Sequence, residues 1–184
     1  MGEHVDEPEL AAGLDEVRRS PADAGSLTRI VARPAEGERD VLPVAELSLE
    51  LGLVGDNWLA RGNRRTTDGS ADPLMQLNLT NSRFLALIAP DEADQLLAGD
   101  QLHVDLDLSE ANLPPWTRLQ IGDAVIEITD KPHNGCAKYA RRYGDAAVRF
   151  VNSPEGKALH LRGINARVVE PGTIRAGDAI SKLP

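Results

Sequence analysis

The chain has 184 residues, a formal net charge of -9 and a single cysteine, Cys136; 41% of it is hydrophobic and only 3% aromatic. This length predicts one domain with an aliphatic core, and the acidity argues against nucleic-acid binding, which needs a basic field. One thiol excludes a disulfide framework or a cysteine-based zinc cluster within the chain.

Met1 to Val17 holds Glu3, Asp6, Glu7, Glu9, Asp15 and Glu16, with no Lys or Arg. A signal peptide needs a basic start and then an apolar run, and neither is here. No stretch approaches the ~20 apolar residues of a membrane helix. The expectation is a cytoplasmic protein without a membrane partner, whose thiol stays reduced. Residues 1–24 read as a frayed acidic arm with a short helix over Glu9–Ser20, where Leu10, Leu14 and Val17 fall at helical spacing. Residues 25–184 read as a single domain.

Leu27–Ala32 is the first predicted strand. Val41–Leu53 fits a strand through alternating leucines and equally fits a helix. Gly55-Asp56-Asn57-Trp58 is a turn, and residues 61–72 a polar surface loop. Leu74–Leu79 reads as a strand. A helix capped by Asn81 or Ser82 runs to Ala89, and a shorter one spans Asp91–Leu97. In Gln101–Leu108, apolar Leu102, Val104, Leu106 and Leu108 alternate with His103, Asp105 and Asp107. That pattern predicts one wet face, with His103 in solvent. Arg118–Ile121, Gly122-Asp123 and Ala124–Thr129 make a hairpin. Residues 137–152 are helical, Leu159–Leu161 and Ile164–Val169 strand-like, and Gly177-Asp178 a further hairpin turn. Gly-Asp occurs five times, and many short strands between such turns predict a mainly β, α+β chain built as a closed or partly closed barrel.

The chemistry concentrates at Pro132-His133-Asn134-Gly135-Cys136. Residues 1–130 carry 25 acidic and 10 basic side chains; residues 131–184 carry 4 and 10. The thiol thus lies in the one basic part of an acidic chain. A strand–Gly–Cys–helix order places Cys136 at a helix N-terminus, where free N–H groups and the dipole favour an anion. Lys138, Arg141 and Arg142 follow within two turns, so the thiol should titrate below about 8.5. Such a thiolate can ligate a soft metal, carry a second sulfur, or act as a nucleophile with the nearby His133. The plain alternative is a binding or structural barrel around an inert, buried thiol. No Walker loop, dinucleotide fingerprint or zinc-spaced histidine pair is present.

Three blocks resemble the MOSC family, named from the C-terminal domain of molybdenum-cofactor sulfurases. They are Gly52-Leu53-Val54-Gly55-Asp56-Asn57-Trp58; Pro132–Cys136 with Arg142-Tyr143-Gly144; and Leu161–Val168 with Gly172 and Gly177-Asp178. Their order fits over residues 25–182. The resemblance implies a barrel-like fold and one key cysteine, at Cys136, that binds sulfur or ligates molybdenum. It implies a molybdenum-pterin cofactor, with Asp56, His133, Asn134, Lys138, Arg141, Arg162 and Asn165 on the cofactor side. Arg162 would contact the phosphate in a bidentate manner, or else decorate an outer strand face. Related proteins reduce N-hydroxylated bases or carry sulfur for metal-cofactor maturation. Trp58 stands where many members have His. The chain shows no pyridoxal-phosphate domain and no fused redox domain, so a sulfur donor or an electron-transfer protein would act in trans on a small-molecule cofactor or substrate.

Overall fold

The computed structural model describes residues 4–184. Among these the helices are α1 (Glu7–Arg18), α2 (Trp58–Arg61), α3 (Ser82–Ile88), α4 (Glu92–Gln95), α5 (Ala137–Asn152) and α6 (Pro154–Ala158). The strands are β1 (Gly25–Ala32), β2 (Asp40–Leu42), β3 (Val44–Ser48), β4 (Gly52–Leu53), β5 (Leu77–Asn81), β6 (Leu102–Asp105), β7 (Arg118–Ile121), β8 (Ala124–Ile128), β9 (Ile164–Glu170), β10 (Gly172–Arg175) and β11 (Ala179–Lys182).

Seven strands close a mixed barrel in the order β1-β6-β5-β9-β8-β7-β11, and β11 returns to β1 through Gly25↔Ile180. Only β5 and β6 run parallel, with Leu79 opposite Leu102. The far end of β1 leaves the barrel to pair with β2, and β10-β3-β4 form a small separate sheet. The barrel core is wholly Leu, Ile, Val and Ala, including Leu27, Leu79, Val104, Ile121 and Ile126. Each such Leu, Ile or Val side chain contributes about 1.5–3 kcal/mol on burial. Phe84, Tyr139, Tyr143 and Phe150 instead belong to a second core formed mainly among α1, α3 and α5.

α1 belongs to that second core and starts two residues earlier than its leucine spacing suggests. Asp6 accepts from the Glu9 N–H while the Glu9 carboxylate accepts from the Asp6 N–H, a reciprocal cap. Leu10, Leu14 and Val17 are buried against α3 and α5. The arm therefore docks over most of its length, and Met1–Glu3 lie outside the described residues.

Val41–Leu53 resolves into three short strands, with Leu49 and Leu51 exposed at the β3–β4 turn. The strand expected from Leu74 begins at Leu77, because Pro73 sets a 3₁₀ turn over Pro73–Met75. Leu159–Leu161 forms no strand. Gly122-Asp123 makes the expected hairpin, whereas Gly177-Asp178 turns between β10 in one sheet and β11 in the other. His103 is not in solvent: it is 1% exposed. A parallel pair needs a crossover, and here α3 provides it, packing over the outer side of β6.

α5 is broken at Gly144, where φ is 88° and ψ 165°. That combination is essentially confined to glycine. Gly144→Ala is expected to lower stability by about 1–3 kcal/mol, read as a fall in melting temperature; an unchanged melt would show that the kink relaxes freely.

Candidate functional site

Residues 129–136 run from β8 to α5 and are fixed at both ends. Thr129 donates its N–H to Asn165 O (3.0 Å) and its hydroxyl to Leu74 O (2.6 Å). At the far end, Asn152 grips Gly135: the Gly135 N–H donates to Asn152 Oδ1, and Asn152 Nδ2 donates to Gly135 O, both at 3.0 Å. A Cβ on Gly135 would stand 2.8 Å from Val151 and 2.9 Å from Val148. Glycine thus lets the segment lie against the second half of α5, and Asn152 is a positioning residue for the next one, Cys136.

Cys136 is the N-cap residue of α5, in extended conformation, and its side chain is exposed. The inert-thiol alternative required burial, and that is not found. Partial burial pushes the thiol up, but the Tyr139 and Lys138 N–H groups, then Arg162 and Arg142, outweigh it and bring the pKa below its ordinary value. A helix N-terminus beside guanidinium groups is a setting that favours thiolate.

Behind the cysteine lies a buried polar group. Arg162 Nη1 donates to both oxygens of Asp100, at 2.9 and 2.8 Å, and Nη2 donates to Ala98 O at 3.1 Å. Its guanidinium carbon sits 4.9 Å from the Tyr139 ring centre, a cation–π contact. Asp100 is fully buried and holds Arg162 charged. Arg162 is therefore no outer-face decoration: Asp100 takes two bonds from Nη1 alone and Ala98 O takes one from Nη2. His133 Nδ1 lies 3.7 Å from Asp100 Oδ1 and has no hydrogen-bond partner. Burial, then Arg162 and Arg33, holds the His133 pKa well below its usual value, so the ring is neutral at pH 7. Arg162 Nε is likewise buried and unpartnered.

A cavity of about 350 Å³ adjoins this group, lined by Lys131, His133, Asn134, Lys157, His160 and Arg162 among others. Cys136 is not in its wall; the cavity reaches the cysteine segment through His133 and Asn134.

The other expected site residues divide. Asn134, Lys138 and Arg141 are exposed, and Lys138 lies 3.4 Å from Glu36. Asn165 is fully buried, accepting from Asn78 and donating to Lys131 O at 3.0 Å; it ties barrel strands to the cysteine segment. Asp56 has no exposed side-chain surface, and Arg33 and backbone N–H groups occupy its carboxylate. Both side chains hold the scaffold and present nothing outward. Asp100, Arg33 and Asn152 are absent from the sequence-based set. Asp100 follows Gly99 just as Asp56 follows Gly55, and these two Gly-Asp pairs are the ones that hold buried arginines.

The family model of the MOSC domain matches residues 63–181. The chain belongs to the MOSC domain family. That span includes the Cys136 and Arg162 blocks of this MOSC domain, while Gly52–Trp58 precedes it. YiiM from Escherichia coli is similar in fold, with TM-score 0.56 and 20% identity over 86% of this chain and 70% of that one. The YUAD protein from Bacillus subtilis gives TM-score 0.61 and 13% identity over 85% and 94%. YiiM from Geobacillus stearothermophilus gives 0.57 and 12% over 87% and 75%. No curated protein matches the chain. The family is associated with the molybdenum cofactor. Among the described residues no helix of this MOSC domain is long and apolar enough to cross a membrane. None of their His, Cys, Asp and Glu side chains gather in threes as a metal cluster.

Proposed function

We propose that this MOSC domain binds a molybdenum-pterin cofactor through Cys136 and acts in molybdenum-dependent reduction of N-hydroxylated compounds, with an electron-transfer protein in trans. The observation that carries this reading is the exposed Cys136 thiol at the α5 N-terminus, its pKa lowered and Arg142 and Arg162 close by. The residues suit an anionic group with a soft metal. A thiolate is a soft ligand, and His133 Nδ1 and Arg162 Nε are buried polar atoms still without partners. When bound, the cofactor supplies two-electron redox chemistry. The chain's own part is to present the sulfur, keep a charged Arg162 beside it through Asp100, and offer a neutral His133 to a ligand in the adjoining cavity. The exposure of Cys136 supports a second reading, in which its thiolate takes the outer sulfur of a persulfide on a donor protein, whose own thiolate leaves, and carries it as a persulfide for metal-cofactor maturation.

Wild type and Cys136→Ala, both made in a host that produces the cofactor, distinguish these. The first reading expects molybdenum and pterin on wild type and at least tenfold less metal on Cys136→Ala. Apo stability should change by no more than about 0.5 kcal/mol, as for an exposed site. Reductant-labile sulfur on wild type without molybdenum establishes the second reading. Equal metal, no labile sulfur and equal activity in both proteins removes both.

A further inference from the structure

Cys136 stands outside the wall of the cavity beside His133. Three segments build that wall: Glu110 to Pro115, the end of β8 with the run to Asn134, and Gly156 to Ile164. At about 350 Å³ the cavity is at the lower end for small-molecule sites, which run from about 300 to 1,000 Å³. It has room for a compact ligand built on a ring. Leu113, Ile128, Val151 and Ile164 are buried and give it an apolar floor. Most polar groups of the wall are matched within the fold. Thr129 donates to Asn165 O and Leu74 O, and His160 Nδ1 donates to Leu108 O at 2.7 Å. Arg162 keeps one N–H, at Nε, without an acceptor.

The cations of the wall lie deeper than its acids. The Arg162 side chain is 11% exposed and that of Lys131 37%, whereas Glu110 and Asp130 are exposed at the rim. Charges removed from water act more strongly than charges screened by it. Lys131 is matched by Asp72 at 3.2 Å. Lys157, exposed at the mouth, lies within ion-pair distance of no carboxylate among the described residues. The backbone adds a second sign. Among the described residues only Ala24, Trp116 and His160 have positive φ without being glycine. His160, at 48°, is in the wall. Trp116, at 76°, follows the wall residue Pro115 and donates its N–H to O of the wall residue Ile128 at 2.8 Å. Bulky residues keep such conformations only where the surroundings over-determine them, and these outliers gather at ligand sites. At Trp116 the result is an indole 51% exposed beside an apolar opening, a surface on which a flat ring stacks.

We infer that this cavity binds a small aromatic monocarboxylate, its ring on the apolar side by Trp116 and its carboxylate toward Arg162 and Lys157. A carboxylate gives the charged guanidinium the acceptor that Nε lacks. Glu110 and Asp130 at the rim repel a second negative charge, which limits the ligand to one. This ligand is distinct from the proposed cofactor, and its site does not need the cofactor, because the thiol contributes nothing to the wall.

The test is titration of the cofactor-free full chain with benzoate, followed by calorimetry and by acrylamide quenching of tryptophan emission, to which exposed Trp116 is far more open than buried Trp58. Benzoate is expected to bind saturably and to shield Trp116. Benzamide, of the same shape without the charge, should bind at least about tenfold more weakly. Isophthalate, with a second carboxylate, should lose as much, and the cation benzamidine should not bind. Lys157→Gln should weaken benzoate about threefold, as for an exposed charge. Val151→Phe, which fills the floor, should abolish binding. Lys157 is exposed and unpaired, so its variant keeps the test decisive if Val151→Phe fails to fold. The same charge change at exposed Arg141 should leave affinity within about twofold. Cys136→Ala should bind benzoate normally, so failure of the cysteine reading does not touch this one. The inference is overturned if benzoate does not saturate, if it leaves Trp116 as open to acrylamide as before, or if benzamidine binds as tightly. It is overturned equally if Arg141→Gln or Cys136→Ala weakens benzoate as much as Lys157→Gln.

Discussion

Asp56→Ala is expected to lower the unfolding free energy by about 3–5 kcal/mol, the range for removing one partner of a buried ion pair. The Asp56 side chain has no exposed surface, and its partner Arg33 is 7% exposed. The carboxylate accepts from Arg33 Nε at 2.7 Å, Arg33 Nη2 at 2.8 Å and the Arg33 and Trp58 N–H groups, both at 2.9 Å. Removing it leaves a desolvated guanidinium with one remaining hydrogen bond, to Gly99 O, and two backbone donors without acceptors. Asp56→Asn retains part of the acceptor set but not the charge, so its loss should be intermediate. Urea denaturation at pH 7, followed through the fluorescence of buried Trp58, measures both. A drop below about 1 kcal/mol for Asp56→Ala would contradict the buried-pair account. A stable Asp56→Ala that had lost bound metal would restore Asp56 as a cofactor contact.

The second large effect is acid destabilisation through His103. Burial, then Arg29, depresses its pKa to about 3, against 6.5 for the free side chain. Both ring nitrogens lack partners, so little favours the protonated form inside. The folded state therefore binds fewer protons than the unfolded chain over this range. The contribution is fully present above pH 6.5 and is lost progressively as pH falls toward about 3. With about 1.4 kcal/mol per pKa unit, the loss approaches roughly 4–5 kcal/mol. His133, also depressed, adds a slope of the same sign. Glu127 loses its share only at lower pH: burial raises its pKa, but Arg167 and Arg118 outweigh this and hold it below the ordinary carboxylate value. Asp100, whose pKa burial raises against the pull of Arg162, acts in the opposite sense, so the histidines' loss between pH 6.5 and about 4.5 is partly offset. His103→Leu should flatten the stability–pH curve there, without losing a hydrogen bond at pH 7. An unchanged slope in that variant would place the acid sensitivity elsewhere.

The local parts of this structure were legible. The β7–β8 hairpin followed from Gly122-Asp123, and the Gly–Cys order put Cys136 at the start of α5. What the chain hides is what arrives from a distance. Alternation around His103 is correct as a strand signal, yet it carries no information about α3, which covers the supposed wet face. Counting cations near Cys136 selected Lys138 and Arg141, which face solvent, because nearness in sequence does not say which way a side chain turns. Arg162 stands out in sequence only as a cation, and its partner Asp100 sits in one of five Gly-Asp turns that look alike. Arg33 gave no signal, since nothing before β2 marks a loop as facing the start of α5.

The closure of the barrel bears on how the site comes into being. Gly25 of β1 finds Ile180 of β11 only across almost the whole chain. Contacts of such long sequence separation slow folding, since the entropy of bringing distant segments together is lost before the pairing compensates it. During synthesis the edge of β1 that takes β11 stays unpaired until β11 has emerged, long after β6 has covered the other edge. Arg33, just past β1, meets its anchor at Gly99 early, but Arg162 and the Cys136 segment reach theirs only near the end. The thiol thus meets Arg162 only after the loop before β9 has been made, and a delay there leaves it without one of the groups that lower its pKa.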